Sequence, residues 1–143
     1  MEKLRAAHQW LEAAQSVFLK AKAGFGKEGI RYEDLCYDLF QATERALMAF
    51  FSLLGLMPPP VQGIEVMLTH LSLKGISFPE WIKELIKLDR YGAISKWPWF
   101  QNPIQKTDYW EALDLTERLI DWVEEEIENI EHSSNIFNGG DRA

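Results

Sequence analysis

The chain has 143 residues, of which 47% are apolar, 26% charged and 13% aromatic. That is the size and composition of one ordinary globular domain, and it excludes a disordered, collagenous or low-complexity protein. The formal net charge is −7 and the single cysteine is Cys36, so no internal disulfide is possible and no oxidising compartment is required.

The first predicted helix covers about residues 2–23. Leu4, Ala7, Leu11, Ala14, Phe18, Ala21 and Phe25 recur at alternating spacings of three and four, one unbroken apolar stripe that Gly24, Gly26 and Gly29 then stop. The loop Gly24-Phe25-Gly26-Lys27 superficially resembles a phosphate-binding loop. It lacks the earlier glycine, Glu28 stands where Ser or Thr belongs, and no strand precedes it, so that reading is rejected.

The second helix is predicted from Tyr32 to Leu54. Tyr32, Cys36, Leu39, Thr43, Ala46 and Phe50 form one stripe, and Leu35, Phe40, Leu47, Phe51 and Leu54 widen it until little polar surface remains after Ala46. A helix apolar almost all round is buried on several sides, so this one is the centre of the fold. Gly55 is placed to end it and Pro58-Pro59-Pro60 prevents continuation. The apolar part, Ala46 to Met57, reaches about 18 Å as a helix, short of a hydrocarbon core about 30 Å thick. No membrane segment is expected, nor does a leader-like apolar core follow Met1-Glu2-Lys3-Leu4-Arg5, and the expected location is cytoplasmic.

A short third helix is predicted from Val61 to Leu73, ended by Gly75. Ser77-Phe78-Pro79-Glu80 reads as a reciprocal cap for a fourth, with Trp81, Leu85 and Leu88 on its buried side, fading near Tyr91-Gly92. A long aromatic loop from Gly92 to Lys106 follows, with Trp97, Trp99 and Phe100. The fifth helix is predicted to open at Asp108, capped with the help of Glu111, and to bury Leu113, Thr116, Ile120, Val123, Ile127 and Ile130. Residues 132–143 lose the periodicity and are expected to be a mobile tail after a single domain at 1–131. With no alternating apolar and polar run anywhere, the fold class is all-α, an up-and-down bundle of four to five helices.

Charge is unevenly placed. Residues 108–143 carry net −9, whereas residues 61–107 carry net +2 from Lys74, Lys83, Lys87, Arg90, Lys96 and Lys106 against four acids. The acidic end repels a phosphate backbone, so DNA is not an expected partner. The ordinary reading of both regions is solvated helix faces. His8, His70 and His132 are scattered with no companion at metal-ligand spacing, so no metal is expected. Cys36 lies on the central apolar stripe and reads as a core residue. Two features can serve a ligand. His70 is either a half-buried histidine bonded to backbone or a binding group. The aromatic loop is either an apolar lid or a platform on which Trp97, Trp99 and Phe100 stack a base while Lys96 and Arg90 hold a phosphate.

The order of short motifs resembles a known family. Trp10-Leu11 and Ala14 are followed by Tyr32 to Phe40, then Gln41-Ala42-Thr43-Glu44-Arg45-Ala46-Leu47-Met48-Ala49, the Gly55 break and Thr69-His70-Leu71. Leu88-Asp89-Arg90-Tyr91, Lys96-Trp97-Pro98 and a closing amphipathic helix complete it. Over residues 3–130 this is similar to the HEPN domain, named for nucleotide binding in higher eukaryotes and prokaryotes. The resemblance implies a small helical domain that forms homodimers and is often encoded beside a minimal nucleotidyltransferase as a toxin–antitoxin-like pair. Some members are metal-independent ribonucleases whose Arg and His are separated by four to six residues.

Here two residues separate Arg5 from His8, twenty-four separate Arg45 from His70, and thirteen separate Arg118 from His132. Met48 stands where the family usually has Lys, and Lys96-Trp97-Pro98 replaces Arg-Tyr-Pro. The expectation is therefore a non-catalytic module with no resident cofactor, binding a nucleotide or a protein partner. His70, Arg90, Tyr91, Lys96 and Trp97 are its candidate ligand residues. The alternatives are a ribonuclease built from a rearranged set such as His70 with Arg90 or Lys96, and a purely structural interaction domain.

Overall fold

The computed structural model describes residues 2–94 and 103–142. These form five α-helices and one 3-10 helix, with no strand among the described residues. The all-α class is as the periodicity requires. No helix among them is long and apolar enough to cross a membrane.

Helix α1 (Glu2–Gly24) buries Ala7, Leu11, Ala14, Phe18 and Ala21, the stripe read from the sequence. Helix α2 (Tyr32–Leu54) is the central element, packed against α1 and every later one. It ends where Gly55 turns left-handed at φ 70°, with the Gly55 amide donating to Ser52 and the Leu56 amide to Phe51, both at 3.0 Å. That pair of bonds satisfies the last carbonyls of the helix and needs a residue without Cβ strain. Within the core, the Thr43 hydroxyl donates to the Leu39 carbonyl at 2.9 Å and lies 3.1 Å from the Thr116 hydroxyl of the last helix.

Helix α3 is Ile64–Leu73, three residues shorter at its start than the sequence suggests. The following segment differs in kind. Glu80–Leu88 is a 3-10 helix entered from Pro79, and no side chain caps it, so the Ser77–Glu80 capping arrangement does not form. The reason is in the spacing. Three residues per turn align Ile82, Leu85 and Leu88 on one buried ridge, while Glu80–Lys83 and Glu84–Lys87 pair three apart at 3.1 and 2.7 Å on the exposed sides. Trp81, expected in the buried row, is half-buried under the Arg118 guanidinium, 4.4 Å from its ring centre. Helix α4 is the single turn Asp89–Gly92.

Helix α5 spans Lys106–Arg142. It begins two residues before Asp108. The Asp108 carboxylate reaches back to accept the Gln105 amide at 2.8 Å, so Asp108 fills the role expected of Glu111. The buried row runs through Tyr109, Ala112, Leu115, Thr116, Leu119, Ile120, Val123 and Ile127, while Leu113 is half-buried and Ile130 exposed. The helical backbone continues through Glu131 to Arg142, and no glycine or proline interrupts it before Gly139. Two of the acidic side chains of α5 make exposed contacts with α1, Glu131 against His8 and Glu124 accepting from Gln15 at 3.2 Å.

Candidate functional site

The polar residues of α2 are few, and three of them share a face. Gln41, Glu44 and Arg45, with Met48 one turn on, recur at spacings of three, one and three, which a helix gathers on one side. They form the floor of a cleft of about 470 Å³, within the usual range for a small-molecule site. Trp10 of α1 stands on one side and Met67 of α3 on another. The connection Pro58–Gln62 closes the cleft as an outer wall.

Glu44 ties the wall to the floor, accepting the Gly63 amide on Oε2 at 3.0 Å. Burial raises the Glu44 carboxyl above its usual range; the Gly63 bond opposes this, and the neighbouring Asp89 carboxylate adds to it. Among the described residues the second oxygen, Oε1, has no hydrogen-bond donor. Arg45 is half-buried, and its one hydrogen bond among the described residues, to the Ala13 carbonyl at 3.4 Å, occupies one of five N–H donors. Gln41 donates to the Tyr37 hydroxyl at 3.2 Å with one of its two amide hydrogens. The cleft therefore offers an aromatic plane, an under-used guanidinium, a carboxylate oxygen and a spare amide donor.

The model of the HEPN domain matches residues 7–127, most of the chain. The chain belongs to the HEPN family. No curated protein and no solved structure matches it.

In this HEPN domain the residue candidates fall into separate places. Arg90 and Tyr91 are brought together: Arg90 donates to the Tyr91 hydroxyl at 2.7 Å and to Asp108 at 3.1 Å, with its guanidinium 4.7 Å from the Tyr91 ring centre. Tyr91 is buried, and its hydroxyl is pushed up to about 12 by burial and by Cys36, against the opposing pull of Arg90. Cys36 is likewise pushed up to about 12, chiefly by burial, with its bond to Tyr91 opposing. His70 packs elsewhere, half-buried with its ring 5.8 Å from that of Phe51. Lys96 and Trp97, with the rest of the aromatic platform, lie outside the described residues. Among the described residues no group of three His, Cys, Asp or Glu could hold a metal ion.

The cleft was missed as a site from sequence, although its signal was visible. Gln41, Glu44 and Arg45 are charged or amide residues at one-turn spacing, directly before the part of the helix that is apolar nearly all round. Such a face is either solvated or lines a cavity, and the fold-back of Pro58–Gln62 decides for the cavity.

Proposed function

We propose that this HEPN domain is a non-catalytic binding module that takes a nucleotide in the Trp10–Arg45 cleft and works as a homodimer beside a minimal nucleotidyltransferase. The observation that carries the nucleotide part is the pairing, in one cleft, of an indole surface with a half-buried guanidinium that has donors to spare. Bases stack on aromatic faces, and arginine grips phosphate oxygens with a planar fork that lysine lacks. The non-catalytic part rests on the Arg–His spacings in the sequence. The homodimer and the nucleotidyltransferase partner rest on kinship with the family.

The test is thermal unfolding and calorimetric titration with nucleoside triphosphates at millimolar concentration. A ligand at a hundred times its dissociation constant stabilises the native state by about 2.7 kcal/mol, readily seen as a raised Tm. Binding is expected in the unaltered protein, lost in Arg45→Ala and weakened in Trp10→Ala, and retained in His70→Ala. Retention in Arg45→Ala defeats the reading. Light scattering at micromolar concentration tests the dimer, and a monomer there removes that part. Metal-free cleavage of labelled RNA that disappears in His70→Ala would replace the non-catalytic reading with a ribonuclease.

A further inference from the structure

Resting on the reading of the Trp10–Arg45 cleft as a nucleotide site, we infer that Glu44 and Gln41 select the base, and that they favour guanine. The argument is one of donors and acceptors. An ionised carboxylate is acceptor-only, and Glu44 has committed Oε2 to the Gly63 amide while Oε1 is without a donor among the described residues. A base edge set against it must present N–H groups. Guanine presents two adjacent ones, the N1 imino and the 2-amino group. Adenine and cytosine each offer one amino donor beside a ring nitrogen whose lone pair faces the carboxylate. Uracil places its single imino N–H between two carbonyl oxygens.

Gln41 strengthens the preference. It sits one turn before Glu44 on the same face of α2, and its second amide hydrogen is uncommitted among the described residues. Beside a carboxylate that accepts from N1 and the 2-amino group, an amide donor meets the guanine O6. At the same place adenine carries its 6-amino group, a donor facing a donor. Arg45, next along the helix, remains for the phosphates, and Trp10 for the ring face.

The experiment is calorimetric titration of the full chain at pH 8 with GTP, ITP and ATP. A well-placed pair of hydrogen bonds distinguishes bases by about tenfold or more. The expected order is GTP, then ITP, which keeps the N1 imino but lacks the 2-amino donor, then ATP, with about tenfold between the extremes. Glu44→Gln retains an acceptor for Gly63 but makes the second position a donor, which opposes the N1 and 2-amino donors of guanine, and is expected to abolish the preference for GTP. Equal affinities for all three nucleotides, or an order unchanged in Glu44→Gln, overturns the base selection while leaving the cleft occupied. If Glu44→Gln fails to fold, the three affinities of the unaltered protein decide the matter. Absence of binding by every nucleotide overturns the cleft reading itself.

Discussion

The Asp89 carboxylate holds the start of a helix that lies 25 residues before it: Oδ1 accepts the Ile64 amide at 2.6 Å, and Oδ2 accepts the Glu65 amide at 3.0 Å. With Glu44 taking the Gly63 amide, three consecutive backbone donors at the start of α3 are met by two carboxylates from other elements. The first amides of a helix have no partner within it, and their partial positive charge favours an anion there. The same two residues belong to the sequence blocks around Arg45 and Arg90. They join α2, α3 and α4 at the wall of the cleft.

Replacement of Asp89 by Ala is therefore expected to destabilise the fold by about 1–3 kcal/mol, above the usual loss of a local cap because two charge-assisted bonds go together. Asp89→Asn keeps one acceptor oxygen and should cost about half as much. In urea unfolding the midpoint falls while the slope stays constant if only native-state stability changes. A midpoint unchanged in Asp89→Ala would show that water replaces the carboxylate at no loss.

The hydroxyls of Thr43 and Thr116 make a buried pair with no solvent exposure. Thr43→Val removes the partner of Thr116 and leaves a polar group unpaired, at an expected cost of about 1–2 kcal/mol. The double substitution Thr43→Val with Thr116→Val removes both hydroxyls and is expected to be closer to the unaltered protein than the sum of the singles. A double-mutant cycle reads the coupling, and strict additivity would contradict the paired arrangement.

Helices α1 and α2 are legible in the sequence because their apolar stripes are strict and glycines end both. The start of α3 is not legible, since its partners Glu44 and Asp89 lie 19 and 25 residues away and only the fold brings them there. The 3-10 helix is half-legible. Ile82, Leu85 and Leu88 at constant spacing of three, with Glu–Lys pairs at the same interval, distinguish it from an α-helix, but a capping-like Ser77–Glu80 pattern points the other way. Of the candidate ligand residues, Arg90 and Tyr91 bond to one another while His70 packs on Phe51, a separation that only the fold determines. The cleft needs tertiary information of one kind only, that the proline segment folds back over Gln41, Glu44 and Arg45.

Gly92 is required for space. A Cβ there would stand 2.8 Å from Phe40 Cζ and 2.9 Å from Cε2, inside contact distance with a buried ring. Gly92→Ala must displace that ring as a unit, at an expected cost of about 1–3 kcal/mol. Phe40→Leu in the same chain opens room and should make the Gly92→Ala step less costly than it is alone. Calorimetric Tm values for the four proteins of that cycle test the contact, and a cost of Gly92→Ala that is the same in both backgrounds would place its cause elsewhere.

Alkaline pH should loosen the fold in two stages. The Cys36 thiol is raised from 9.0 to about 12, by burial above all, and the Tyr91 hydroxyl from 10.0 to about 12, by burial and then by Cys36. Tyr109 moves in the same direction for the same first cause. These groups stay protonated in the native chain at pH values where the unfolded chain has released the proton. Above pH 9 the unfolded state thus binds fewer protons, and stability falls with rising pH. The contribution is fully present below pH 9 and is lost progressively until the native groups themselves titrate near 12. Urea midpoints at pH 8, 9, 10 and 11 should be level at first and then decline. Cys36→Ala removes the group that titrates first, so its decline should begin about one pH unit later, with the tyrosines alone. Thiol reagents give an independent check. At pH 8 the native protein should resist alkylation that urea-unfolded protein undergoes completely, because a buried thiol supplies neither thiolate nor access. Rapid labelling of the native protein, or a flat midpoint through pH 11, would show that Cys36 and Tyr91 are not held in their protonated forms by the fold.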